Sequence, residues 1–486
     1  MCKRIISCVI LNLLFTQNAF ANNDSPHYQY IEKLIQQTIP TANVGILVQD
    51  PTTGVVVYER RSQEYFAPAS TTKVFTAAAG LLSLGADYTY KTSILINQKQ
   101  LHNNKLLGNL YIQFTGDPTL TSNDLQQLIT QVKSKGINEI QGNIVLDTSR
   151  FQDPTVAQGW SADSLSWYYA APISSVILNE NVVKLTVNSN KPVGQKATVS
   201  LALNEPITIA LATNLSIVST AQAQSECVID IKSSANNHMN IAGCWPAEKL
   251  PRTLKVAISD PDFAAKQLVA QFLKSQNIAF SGKIIIGQVP KTEQEVIAQH
   301  TSEPLNELLN PILADSNNLY ADSLLKTLGY TSYNTGTFQI GLKALMATLA
   351  KQGKNDLADL KLFDGSGLSR YNLVTPSQLV SLLALVYNDP KIASHFKQAL
   401  PIAGETGTLA NRMQSAELKG KLRAKTGSLQ GVTTLAGYLK KPDNKDLIIV
   451  VMVDNIAQNP EKVREFQEAL CHLFVNDPNN LRTAAS

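Results

Sequence analysis

The sequence predicts an α+β protein: an antiparallel sheet flanked by helices, split by two nested insertions, one α/β and one β-rich. Three observations predict it. The chain closes with strands at about 421–426, 432–439 and 447–453, and the last is apolar throughout, so it is expected to be covered on both faces. The chain opens with a matching hairpin, 43–50 and 55–60, around the turn Pro51-Thr52-Thr53-Gly54. Between these ends a unit of helix, short loop and apolar strand occurs twice, at 125–147 and 266–288. A stretch of alternating polar and apolar residues, 182–251, separates the two copies and reads as short strands. A chain of 486 residues is also too long for one core. The expected division is therefore an outer domain from 22–91 and 291–486, an α/β insertion from 92–181 and 252–290, and a β-rich insertion at 182–251.

Taken in order, Lys3 and Arg4 precede an apolar run at 5–15, and Ala19-Phe20-Ala21 supplies small residues for cleavage. This is the layout of a secretory signal peptide cut after Ala21, since the run is short for a span of about 20 residues. An exported, periplasmic protein with no transmembrane span is expected. Whether it also touches the membrane surface stays open. A helix is predicted over 28–37, then the hairpin, then a helix beginning near Ser70 and running to about 84. After the insertions, helices are expected over 305–328 (interrupted at Pro311), 337–352, 375–387 and 460–474, with a Gly-rich loop at 361–370.

Composition excludes several classes. With 44% hydrophobic and 16% charged residues the chain is globular, and a net charge of +4 without a basic run gives no footprint for nucleic acid. Scattered histidines and the lack of a C-x-x-C pair give no zinc pattern. In an oxidising compartment Cys227 and Cys244 are expected to pair, whereas Cys471 reads as a small buried hydrophobe.

The chemistry is carried by three motifs. Ser70 and Lys73, three apart at a helix start, put a hydroxyl beside an amine that can take its proton. Two other pairs, Ser323 with Lys326 and Ser394 with Lys397, have the same spacing, so this motif alone decides nothing. Lys425-Thr426-Gly427 is the one K-T-G of the chain. Of the S-x-N matches, Ser316 with Asn318 leads directly into an apolar helical stretch, whereas Ser332 is read in a turn. The order S-x-x-K, S-x-N, K-T-G is the signature of penicillin-binding proteins and serine β-lactamases.

The long interval between Lys73 and Ser316, the nearness of Ser70 to the mature N-terminus and the loop Asp364 to Arg370 sharpen that likeness. The chain resembles the class C low-molecular-mass penicillin-binding proteins, the D-alanyl-D-alanine carboxypeptidase/endopeptidase family, over essentially its whole mature length. The resemblance implies a transpeptidase-type catalytic domain with two inserted domains. It implies that Ser70 attacks the carbonyl between two terminal D-alanines, that Lys73 is the base, and that Ser316 relays the proton to the leaving nitrogen. Asn318 would bind the substrate amide, Lys425 and Thr426 its terminal carboxylate, and the backbone N–H groups of Ser70 and Ser428 would form the oxyanion hole. Arg370 either binds substrate or pairs with an acid. Asp147 either faces the site, holding the amine of a diaminopimelate side chain, or is a strand-end turn residue.

The implied partners are peptidoglycan stem peptides ending in D-Ala-D-Ala, crosslinked muropeptides and β-lactams, with no metal or organic cofactor. The competing readings are a serine β-lactamase and a non-catalytic β-lactam-sensing or wall-binding protein. Neither a class A glutamate loop nor a Y-x-N motif stands where a β-lactamase needs it, and no G-x-S-x-G elbow supports a Ser-His-Asp hydrolase.

Overall fold

A computed structural model describes residues 26–476 except positions 292, 354 and 458, so the predicted signal segment lies outside the described residues. The chain opens with helix α1 (Pro26–Thr38), strands β1 (Asn43–Gln49) and β2 (Val56–Arg60), and helix α2 (Lys73–Leu84). It then builds β3 (Lys91–Ile96), the short β4 (Leu101–His102) and β5 (Lys105–Leu106), β6 (Leu110–Gln113), α3 (Ser122–Ser134), β7 (Glu139–Ile140) and β8 (Ile144–Asp147). Next come β9 (Val182–Asn188), β10 (Thr198–Leu201), β11 (Leu211–Val218), α4 (Thr220–Ser225), β12 (Ile229–Ser234), β13 (His238–Pro246) and β14 (Arg252–Ala257). They are followed by α5 (Pro261–Ser275), β15 (Ala279–Phe280), β16 (Ile284–Gly287) and β17 (Glu295–Thr301). The return is α6 (Leu305–Leu313), α7 (Asn318–Tyr333), α8 (Phe338–Ala350), α9 (Pro376–Asn388) and α10 (Ala393–Gln398). The close is β18 (Leu422–Leu429), β19 (Val432–Lys440), β20 (Asp446–Asp454) and α11 (Pro460–Asn476).

The two ends of the chain meet in one antiparallel sheet of order β18-β19-β20-β1-β2, with Leu47 opposite Val450. Strand β20 explains why such an apolar run was needed. Ile448, Val450 and Met452 face the core under α2 and the returning helices, while Leu447, Ile449, Val451 and Val453 face the core under α1 and α11. Both faces are covered, as the sequence predicts for a run without polar alternation.

A second five-stranded sheet, β16-β8-β6-β3-β17, belongs to the first insertion. The repeated units lie side by side in it: β8 and β16 pair in parallel, Ile144 opposite Ile284 and Asp147 opposite Gly287. The glycine that opens each repeat strand is required by this stacking. A Cβ on Gly142 would come 2.3 Å from the Gly108 carbonyl oxygen, and one on Gly282 would come 2.3 Å from that of Gly142. Strand β17 pairs antiparallel with β3, Thr301 opposite Lys91, so residues 295–301 form an edge of this sheet. The sequence between the repeats forms two three-stranded sheets, β10-β9-β14 and β11-β13-β12. One continuous core runs beneath all of this region, from Ile144 and Leu268 through Leu185 to Leu215 and Ile241. Cys227 and Cys244 are disulfide-bonded, and Cys471 is a buried thiol on α11. Among the described residues no helix is long and apolar enough to cross a membrane.

Three local expectations are corrected. The helix at Ser70 is first a 3-10 turn, Ala69–Thr72, and becomes α2 only at Lys73; Ala69 stands at φ +47°, which turns the backbone into it. The predicted 305–328 helix is two helices. Its break falls after Pro311, at Ala314 to Asn317, and Ser316 takes φ +60° there. Ser332 lies in the last turn of α7, not in a loop.

Candidate active site

The break between α6 and α7 delivers the second motif. Asn317 caps α7, its side chain accepting from the Tyr320 N–H, so Ser316 projects just ahead of the helix and Asn318 opens it. The third motif sits on β18 at the edge of the central sheet, packed against the Ser70 turn. Gly427 is the contact point: a Cβ there would lie 2.2 Å from Thr434 Oγ1, 2.8 Å from the Pro68 carbonyl oxygen and 2.9 Å from the Ser70 nitrogen. The Gly-rich loop closes over the other side of the turn. A Cβ on Gly367, at φ +85°, would come 1.8 Å from the Ala69 carbonyl oxygen. Only glycine permits either approach.

At the centre, Lys73 is fully buried and its Nζ lies 3.0 Å from Ser70 Oγ, 2.6 Å from Asn318 Oδ1 and 2.6 Å from the Ser366 carbonyl oxygen. Lys425, also fully buried, donates to Ser316 Oγ at 2.8 Å and to its neighbour's carbonyl, Thr426 O, at 2.9 Å. Burial pulls the Lys73 amine down to about 8, opposed by the nearby carboxyls of Asp322 and Asp364. Burial, and then the charge of Lys73, holds Lys425 well below the ordinary lysine range. Asp322 is itself pushed up to about 8, by burial and then by the Asp364 carboxyl. A neutral amine has two N–H bonds. At Lys73 these match Asn318 Oδ1 and Ser366 O, which leaves the lone pair for the Ser70 hydroxyl.

Thr426 Oγ1 donates to Thr408 Oγ1 at 2.7 Å, and Ser428 is exposed on the strand two residues on. Among the described residues Arg370 pairs with no acid: its Nη1 donates to the Gln430 carbonyl at 3.2 Å, in the turn after β18. Ser70, Ser316, Asn318, Arg370 and Ser428 all line one cleft of about 1780 Å³. Asp147 does not reach it. Its carboxylate is consumed locally, accepting from Ser149 N–H (3.0 Å), Ser149 Oγ (2.7 Å), Gln113 Nε2 (3.2 Å) and Val289 N–H (3.1 Å). The acids that do line the cleft are Asp163, Glu180, Glu205 and Asp315, none of which the sequence singles out.

The other serine–lysine pairs have structural work. Ser323 Oγ donates to the Gly116 carbonyl, and Lys326 Nζ donates to the carbonyls of Gln152 (3.1 Å), Pro154 (2.8 Å) and Ile173 (3.0 Å). Both residues are buried on α7: Ser323 ties Gly116 to it, and Lys326 clamps the segment 150–181 onto it. Lys397 pairs with Asp446 at 2.7 Å beside the rings of Tyr387 and Tyr438. That clamped segment is what sequence reasoning misses. It brings Trp160 Nε1 to Asp364 Oδ2 (2.8 Å), the Tyr169 carbonyl to Asn318 Nδ2 (2.7 Å) and Glu180 Oε2 to Asn317 Nδ2 (2.9 Å). The insertion thus helps to hold the reaction centre. The buried S-x-x-K on α7, with Trp160 in an otherwise polar stretch, was the available signal.

Comparison with known proteins places nearly the whole described chain in one family. The model of the D-Ala-D-Ala carboxypeptidase 3 (S13) family matches residues 28–476. The chain is 31% identical over 449 residues to the D-alanyl-D-alanine carboxypeptidase DacB of Haemophilus influenzae, covering 92% of this chain and 91% of that one. It is 33% identical over 414 residues to a D-alanyl-D-alanine carboxypeptidase of Actinomadura sp., covering 82% of this chain and 76% of that one. The crystal structure of penicillin binding protein 4 (dacB) from Haemophilus influenzae superposes with a TM-score of 0.84 at 30% identity, over 92% of this chain and 99% of that one. A second structure of that protein, complexed with a β-lactam, gives a TM-score of 0.80 at 29% identity over 92% of this chain and 99% of that one. The chain belongs to the D-Ala-D-Ala carboxypeptidase 3 (S13) family of serine peptidases.

Proposed function

We propose that this chain is a periplasmic D-alanyl-D-alanine carboxypeptidase/endopeptidase that trims peptidoglycan stem peptides, cleaves peptide crosslinks and is acylated by β-lactams, all through Ser70. The observation that carries the proposal is the pair of buried lysines, one against Ser70 Oγ (3.0 Å) and one against Ser316 Oγ (2.8 Å). Neutral Lys73 takes the Ser70 proton as Oγ attacks the carbonyl before the last D-alanine. The backbone N–H groups of Ser70 and Ser428 stabilise the oxyanion, and Ser316 passes a proton to the leaving nitrogen. Lys425 begins depressed by burial and by Lys73; a substrate carboxylate arriving beside it favours its charged form. Thr426 and Arg370 add donors for that carboxylate, and Asn318 orients the substrate amide. Water then releases the acyl group. The cleft of about 1780 Å³ leaves room for a peptide longer than the terminal D-Ala-D-Ala.

Export through the leader at 1–21 is part of the same reading. So is a division into a catalytic domain, an α/β insertion and a nested β-rich insertion, with the second outer boundary at 301. The test is incubation of the purified chain with a pentapeptide muropeptide and with a crosslinked dimer. Release of D-alanine and conversion of dimer to monomer are expected, both abolished by Ser70→Ala. Rapid antibiotic turnover without peptide cleavage would favour the β-lactamase instead.

A further inference from the structure

Where the insertion meets the S-x-N motif, the backbone runs left-handed over three residues without a glycine. Asn179, Glu180 and Asn181 have φ of +51°, +61° and +52°. Asparagine tolerates this conformation because its short side chain bonds locally; glutamate has no such compensation. Both asparagines are tied down. Asn179 Oδ1 accepts from the Ser122 N–H (3.0 Å) at the start of α3. Asn181 is buried, donates through Nδ2 to the carbonyls of Pro172 and Val176 (3.1 Å each) and accepts from the Leu178 N–H (3.2 Å). Glu180 is thereby held between them against its own preference, and its carboxylate accepts from Asn317 Nδ2 at 2.9 Å.

Asn317 is the middle residue of Ser316-Asn317-Asn318, and its amide is engaged at both ends. Oδ1 caps α7 by accepting the Tyr320 N–H at 3.3 Å, and Nδ2 goes to Glu180. Asn318 is held in the same way, with Oδ1 on the Lys73 amine and Nδ2 on the Tyr169 carbonyl. Each asparagine thus turns its oxygen to the catalytic layer and its NH2 to the insertion. Ser316, immediately before them, stands at φ +60° and its hydroxyl accepts from Lys425 at 2.8 Å. With Ser316 in a turn ahead of the helix, the residue that follows it sets where its hydroxyl points.

We propose that Glu180 is a positioning residue for proton transfer at Ser316: by locking Asn317 it sets the Ser316 hydroxyl where the leaving nitrogen is protonated. This inference rests on the peptidase reading above. Cleavage of an amide needs a proton on the nitrogen as the C–N bond breaks. Ser316 gives its hydroxyl proton to that nitrogen and is reprotonated by Lys425, whose Nζ donates to it. A thioester of the same acyl group releases a thiolate, which leaves without a proton. The test therefore uses the full chain with two substrates of one acyl group: a peptide ending in D-Ala-D-Ala, and the thioester in which mercaptoacetate replaces the last D-alanine. Asparagine in Glu180→Asn suits the left-handed backbone but is a methylene too short to hold Asn317, whereas Glu180→Gln keeps an acceptor at full length. In Glu180→Asn, kcat/KM for the peptide is expected to fall about tenfold while that for the thioester stays within about twofold. In Glu180→Gln both stay within about threefold of wild type. Ser316→Ala, which removes the donor outright, should show the same selectivity with a larger loss. Incomplete folding would lower both rates together and leave their ratio unchanged. Equal loss on both substrates in Glu180→Asn, or no loss on the peptide, overturns the positioning role and leaves the peptidase intact. So does a Gln variant as impaired on the peptide as the Asn variant, or a Ser316→Ala without the selectivity. A wild type that releases no D-alanine from the peptide would overturn the peptidase reading itself, and this inference with it.

Discussion

Gly427→Ala isolates the contact on which the proposed oxyanion site depends. Gly427 does not take a left-handed backbone conformation, so alanine meets no conformational penalty and the cost is purely one of space. The new methyl would overlap Thr434 Oγ1 (2.2 Å), the Pro68 carbonyl oxygen (2.8 Å) and the Ser70 nitrogen (2.9 Å). The first neighbour is a buried hydroxyl that donates to Pro68 O at 2.8 Å, so its retreat breaks that bond; the other two are backbone. Overpacking of this kind costs about 1–3 kcal/mol of stability. The larger effect is on chemistry, because the strand can relieve the overlap only by moving away from the Ser70 N–H. Loss of one oxyanion donor costs about 2.7–4 kcal/mol of barrier, or roughly 10²–10³ in rate. Partial displacement should lie at the lower end, a drop of about 100-fold. The assay is the second-order rate of labelling by fluorescent penicillin, with the melting temperature as a control for folding. Adding Thr434→Ala removes the closest overlap but neither backbone one, so it should recover stability more than rate. Acylation within threefold of wild type in Gly427→Ala would refute the reasoning, as would full recovery of rate in the double variant.

Two further predictions follow from the same geometry. With Lys73 brought down to about 8 and required neutral, acylation should rise with pH through that value, from about a tenth of its plateau one unit below. Removing the opposing carboxyl in Asp322→Asn should move the midpoint of the rate–pH profile to lower pH; a shift upward would contradict the assigned direction. Asp147→Ala strips acceptors from Ser149, Gln113 and Val289, so urea unfolding should report a loss of roughly 1–3 kcal/mol while kcat/KM for D-alanine release stays within a few-fold of wild type. A collapse of kcat/KM in a folded Asp147→Ala protein would return that acid to the cleft.

Much of this architecture was legible because it is written in local patterns. The apolar run of β20 announced a strand covered on both faces, and the two glycine-led strands announced a repeat that the sheet pairs in parallel. The three motifs were legible by order, and the structure joins Ser70, Lys73 and Asn318 in one hydrogen-bonded set and Ser316 and Lys425 in another. What was hidden depends on distant packing. The 3-10 turn at Ser70 exists because Gly367 and Gly427 press on it from segments some 300 residues away. The break at Ser316 follows Pro311 by several residues, more than the usual proline stop would suggest. The irregular segment 150–181 has no periodicity to read, and its place under α7 is set by backbone carbonyls gathered on Lys326. Asp147 shows the same limit from the other side: a strand-end acid looks alike whether it faces a ligand or caps its own turn.

The central claim is that Ser70, alone among three S-x-x-K serines, is the nucleophile. It is tested most directly by incubating the full chain with benzylpenicillin, digesting it and locating the adduct by mass spectrometry. One adduct per chain is expected, on the peptide that contains Ser70, and none in Ser70→Ala. An adduct on Ser323 or Ser394, or undiminished labelling of Ser70→Ala, would contradict the account.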